Sequence, residues 1–265
     1  MATITDPATE LTNLASQLSV VTSQKGGDFL ANKFQVEAWS SDFQKIISCI
    51  LARADAISRI VEESDLDEIN KTVFDNDITA FKWAFSGPLL TKPWSNGEGS
   101  GLATMKEQGT RIGLIQGTVR PLLNYPRLND QEIAELVELI DAYLKELASS
   151  DVGPRFVRQA IRDGLLEFRF QLVNLNWVGS GYLLKEFRSL VEIYRQANDY
   201  LGSMDGFDPK AVLTGMWTVI QRFKSVVETV KPYTDAASYL WAGYSIVAPF
   251  VPGLPPPPLL LEGPT

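Results

Sequence analysis

Histidine is absent from all 265 residues. It is the commonest general base near neutral pH and a frequent metal ligand. Its absence excludes Ser–His–Asp and Cys–His nucleophilic sites, Cys/His zinc sites, the Glu-x-x-His di-iron pattern and His-ligated haem. Carboxylate, Lys and Tyr chemistry survives this cut. Cysteine is nearly absent as well: Cys49 stands alone, so no disulfide can form within the chain. The residues from Met1 to Asp6 carry no basic cluster and no apolar run follows, unlike a secretory signal. Both features lead us to expect a reducing, cytoplasmic setting.

Positive charge is in deficit. The chain holds 24 Lys and Arg against 32 Asp and Glu, a net charge of −8. A field of that sign repels phosphate, so nucleic acid is not an expected partner and anionic lipid is disfavoured. Period-two apolar runs are also missing, which argues against strands. No unit recurs at 20–50 residues, which argues against a solenoid.

What is present is helical periodicity. Asp6-Pro7 opens a first helix, with Asp as cap and Pro in the first turn. Leu11, Leu14, Leu18 and Val21 supply its apolar face, and Gly26-Gly27 is expected to stop it. One long helix is predicted over 28–63, where Val36, Trp39, Phe43, Ile46, Ile50, Ala54, Ile57 and Val61 recur at helical spacing. A third is predicted over 67–85, before Gly87-Pro88. Residues 87–101 read as a loop and are the one candidate domain boundary. A glycine-weakened helix is expected over 102–119, and Pro121 and Pro126 bracket a short connection. Asn129 and Glu132 form a capping-box start for the next helix. Further helices are predicted over 154–179, 182–201 and 208–231. The expectation is an all-α, elongated bundle of seven to nine helices around one core over 1–235, followed by an apolar, Pro-rich tail over 236–265.

The tail is the sharpest feature. No charged side chain occurs from Ala236 to Leu261. Its aromatic stretch is shorter than the roughly twenty residues a spanning helix needs. Three readings stand open. The segment packs on its own bundle. Or it meets a protein partner, with Pro255–Pro258 extended as polyproline II. Or it enters a membrane interface. Tyr239, Trp241, Tyr244, Phe250, Leu254, Leu259, Leu260 and Leu261 are its candidate contact residues.

A second candidate is an arginine stripe. Arg155, Arg158, Arg162 and Arg169 fall on one narrow face of a single helix. Guanidiniums so arranged either grip an anionic or carboxylate-bearing partner or pair with acids of a neighbouring helix. Leu166 and Val173 share the face, which points to partial cover. Lys185 and Arg188 extend the patch if the next helix runs antiparallel.

Other clusters have plainer readings. Glu62, Glu63, Asp65, Asp67, Glu68, Asp75 and Asp77 are dense enough to suggest a cation. The EF-hand pattern fails, because Asn70 and Asn76 stand where Gly and Glu are needed, and helix-dipole preference explains the acids. Gly97, Gly99 and Gly101 lack the Lys-Ser/Thr of a phosphate loop and read as a flexible connection. Cys49 and Trp177 read as packing residues. No metal or cofactor is expected.

The function expected is non-catalytic: an interaction or regulatory protein working through the tail and the arginine face, by binding a protein partner or by self-association. The alternative is a membrane-acting effector, peripheral to a bilayer, whose segment 236–261 is released on triggering or oligomerisation. An enzyme using carboxylates and arginines on a phosphorylated substrate is the third class.

Overall fold

A computed structural model describes residues 3–95 and 97–229. The fold is all-α apart from one small sheet. Helix α1 spans Pro7–Leu18. Asp6 is extended and its carboxylate accepts the Thr9 amide at 2.9 Å, as the Asp-Pro start predicts. Val21 falls beyond the helix and is exposed rather than on its apolar face.

The long helix predicted over 28–63 is two helices, α2 (Gly26–Phe34) and α3 (Ser41–Glu63). Gln35 and Trp39 take left-handed backbone, φ 57° and 65°, which no α-helix can continue through. Ser40 then restarts the chain by accepting the Phe43 amide. Gly26-Gly27 begins α2 rather than ending α1. A Cβ on Gly26 would meet the Leu89 carbonyl, and one on Gly27 would meet the Trp39 ring, so both glycines serve close packing.

Helix α4 covers Glu68–Trp83 and is capped by Asp67. The short α5 (Gly87–Leu90) lies inside the expected loop. Helices α6 (Gly101–Leu114) and α7 (Gln116–Leu122) replace the single helix predicted over 102–119, and Pro121 sits within α7. Helix α8, Asp130–Ser149, has the full capping box between Asn129 and Glu132. Helix α9 runs Arg155–Val173, and the one-turn α10 (Leu175–Val178) carries the rest of the stretch expected to be continuous. Helices α11 (Ser180–Gly202) and α12 (Lys210–Glu228) complete the set. Among the described residues there are thus twelve helices, not seven to nine, because tertiary contacts break periodic runs and add one-turn helices.

Two strands were not expected. Strand β1 (Thr3–Thr5) pairs antiparallel with β2 (Tyr125–Arg127), Ile4 opposite Pro126. Three residues are too short to show alternation, and the partners are far apart in the chain.

Buried apolar side chains form two clusters rather than one core. The first gathers α1–α7, with Trp94 among its largest fully buried members, and takes in Val178 of α10. The second is built on α8, α9, α11 and α12. These four run antiparallel in turn: Phe156 meets Tyr200 and Phe168 meets Phe187 across α9 and α11, while Arg222 of α12 binds Glu135 of α8. That is the up-down-up-down arrangement of a four-helix bundle. Ile60 of α3 packs on both clusters.

Candidate functional site

Helix α9 lies between α8 and α11, so its inner face is fixed by Val157, Ile161, Leu165, Phe168 and Leu172, all buried. The opposite face necessarily carries 155, 162, 166 and 173, at multiples of about one and two turns. Gly164 lets α11 approach: a Cβ there would collide with Ile193.

The four predicted arginines share the helix but not one fate. Arg169 donates to both oxygens of Asp141 on α8, at 2.7 and 3.0 Å. These charge-assisted bonds hold the Asp141 carboxyl below the usual aspartate range. Arg158 approaches Asp151 at 3.6 Å, and its Nε is buried without a hydrogen-bond partner. Arg155 and Arg162 are exposed, and among the described residues neither forms an ion pair. Leu166 and Val173 are exposed beside them, Val173 by 55%. Acids of α8 and the loop after it therefore hold one edge of the stripe, leaving two guanidiniums and two aliphatic side chains facing water.

Lys185 does not extend this patch. The α11 residues turned toward α9 include Phe187, Ile193 and Tyr200, with Glu186 close enough to feel the Glu167 charge. Lys185 instead lies over the Tyr182 ring at 5.6 Å. The contact residues predicted in the tail (Tyr239, Trp241, Tyr244, Phe250, Leu254, Leu259, Leu260 and Leu261) lie outside the described residues.

The reverse side of α9 joins the two clusters. Lys45 of α3 binds Glu167 and stands 4.4 Å from the centre of the Phe170 ring. Gln171 donates to Glu167 at 3.0 Å. Burial raises the Glu186 carboxyl, and the Glu167 charge adds to the effect.

Deeper in the joint, Arg53 of α3 binds Glu10 of α1 and the Trp177 carbonyl of α10. The other Glu10 oxygen accepts the Ser180 amide at the start of α11, at 3.0 Å. Sequence reasoning passed over this pair. Its signal was legible: each charge falls within the apolar spacing of its helix, Glu10 beside Leu11 and Leu14, Arg53 beside Ile50 and Ala54.

Cys49 is buried on α3, and desolvation pushes its thiol up to about 11, so packing is its role here. The loop expected over 97–101 ends against a fixed ring at Gly101. Trp94 is fully buried, its indole N–H donates to the Leu18 carbonyl at 3.0 Å, and its ring covers Gly101. The acid-rich stretch resolves into caps and pairs. Asp67 caps α4, and Asp77 accepts Arg111 at 3.0 Å. Among the described residues no group of His, Cys, Asp and Glu side chains could hold a metal ion. No described helix is long and apolar enough to cross a membrane.

Taken together, these elements define an all-α protein in which a seven-helix unit packs on a four-helix bundle. No family model, curated protein or solved structure matches this chain.

Proposed function

We propose that this protein is a non-catalytic interaction protein. It meets a protein partner through the outer face of α9, with the uncharged segment 236–261 adding apolar area. One observation carries the reading: in a chain of net charge −8, Arg155 and Arg162 stand exposed on the same face as the exposed Leu166 and Val173, and among the described residues neither forms an ion pair. An acidic protein has carboxylates to spare for its own arginines, and it uses them on Arg158 and Arg169. The two left open suit a partner that brings its own carboxylates beside an apolar patch. Such contacts set orientation and association rate, while Leu166 and Val173 supply burial at about 25 cal/mol per Å2. The absence of histidine lowers the weight of general acid–base catalysis as an alternative.

The test places a photo-crosslinking residue at position 166 of the full chain in its cell of origin. A discrete adduct of one mass is expected. Arg155→Glu/Arg162→Glu should remove it without changing thermal stability, since neither guanidinium forms an ion pair among the described residues. Truncation after Asp235 should weaken it. An adduct pattern indifferent to both changes would refute the reading.

A further inference from the structure

Helices α4 and α6 flank a groove of about 460 Å3, a volume ordinary for small-molecule sites. Trp83 lines it and is 56% exposed, and the small residues Ala80, Gly99 and Ala103 leave room beside the indole. The rest of the wall is mostly neutral and polar. Thr72 of α4 and Thr110 of α6 donate their hydroxyls to the carbonyl four residues back, at 2.8 and 3.0 Å. Thr79 and Thr104 line the groove from the same two helices and make no such bond. Among the described residues neither they nor Asn76, also in the wall, form any side-chain hydrogen bond. Gln108 goes further. It is 8% exposed, and its Oε1 is buried with no hydrogen-bond partner. A buried acceptor in that state is a cost that a ligand's donor removes.

Charge in the groove is already spent. Glu107 is the single ionisable residue of the wall, and Arg111 holds both it and Asp77 at 3.0 Å each. The exposed Lys106 of α6 lies outside the wall. An ion of either sign therefore meets no open counter-charge there. A purely apolar ligand would leave the amides and hydroxyls unmatched. A flat aromatic ring would cover Trp83 but bring few donors. A sugar ring has both parts: a C–H face for the indole, and a rim of hydroxyls that donate and accept. We infer that the α4–α6 groove binds a neutral sugar, with its ring against Trp83 and one hydroxyl donating to Gln108 Oε1. This site is separate from the α9 face and adds a second kind of ligand to the protein contact proposed there.

The test uses the full chain and four probes: the methyl glycosides of glucose, galactose, mannose and N-acetylglucosamine. Saturation-transfer NMR, titrated to about 50 mM, reads affinities down to the millimolar range. At least one glycoside should bind. Trp83→Ala and Gln108→Leu should each weaken that binding by at least about tenfold. Gln108→Leu removes an unmatched buried acceptor, so its thermal midpoint should hold or rise, which separates lost binding from lost fold. Glucuronate, an anion on the same ring, should bind no tighter than the glucoside. A tetrasaccharide of the bound sugar that binds tighter than the single ring makes a glycan chain the source, and equal affinity makes it a free sugar. Failure of all four probes, binding that survives either substitution, or a preference for glucuronate overturns the inference.

Discussion

Arg53 and Glu10 form an ion pair nearly sealed from water: the residues are 4% and 9% exposed, with Nη1 to Oε2 at 3.3 Å. The pair is not self-sufficient. Glu10 needs the Ser180 amide, Arg53 needs the Trp177 carbonyl, and Arg53 Nε is left without a partner. Three segments, α1, α3 and the α10–α11 junction, therefore meet on two charges.

Breaking this pair from one side should cost far more than removing it whole. Glu10→Leu strands a buried guanidinium and should lose about 3–5 kcal/mol. Glu10→Leu/Arg53→Met removes both charges and should recover much of that loss. Urea denaturation of the two single variants and the double variant gives the coupling directly. A double variant as unstable as the sum of the singles would show that the charges act separately.

The first residue of α6 should resist enlargement. A Cβ on Gly101 would enter the Trp94 ring, which is fully buried and cannot swing away without losing its bond to Leu18. Gly101→Ala should therefore cost about 1–3 kcal/mol through overpacking. Gly117→Ala is the control. Nothing lies within 4 Å of a Cβ there and the residue is helical, so it should gain about 0.4–1 kcal/mol. Thermal midpoints of the two variants should move in opposite directions.

Stability near neutral pH should rise when Glu186 loses its charge. Its folded carboxyl is raised, by burial first and then by Glu167. The folded state thus binds this proton more tightly than the unfolded chain does. Stability from the protonated form is complete below the ordinary glutamate range and is lost as pH rises through the raised value. Glu186→Gln should be more stable than wild type at pH 7, with the advantage fading on acidification. Urea midpoints across the acid range read this, and an advantage that grows toward low pH would contradict the assigned cause.

Much of the helical order is local and was legible. Asp6-Pro7 and the Asn129–Glu132 box mark real helix starts because a cap is built from neighbours in sequence. The breaks at Gln35 and Trp39 were not legible. Neither is glycine, and Trp39 keeps its left-handed backbone in a setting where its ring packs on Phe43 and against Gly27. Periodicity continues across such a kink, so it cannot signal one. The sheet was hidden for a similar reason, since each strand has meaning only beside the other. The arginine face was readable from spacing. Which guanidiniums are taken was not, because Asp141 and Asp151 reach them only once α8 has docked.

The contact between Glu10 and the Ser180 amide spans 170 positions of chain. At ribosomal speeds of about 5–20 residues per second, the amide that completes this carboxylate's cradle is made on the order of ten to thirty seconds after α1. Throughout that interval the nascent α1 carries a greasy flank with an acid in the middle and no finished place to put it. A charged acid in the middle of that flank raises the cost of burying it against another chain before the joint closes.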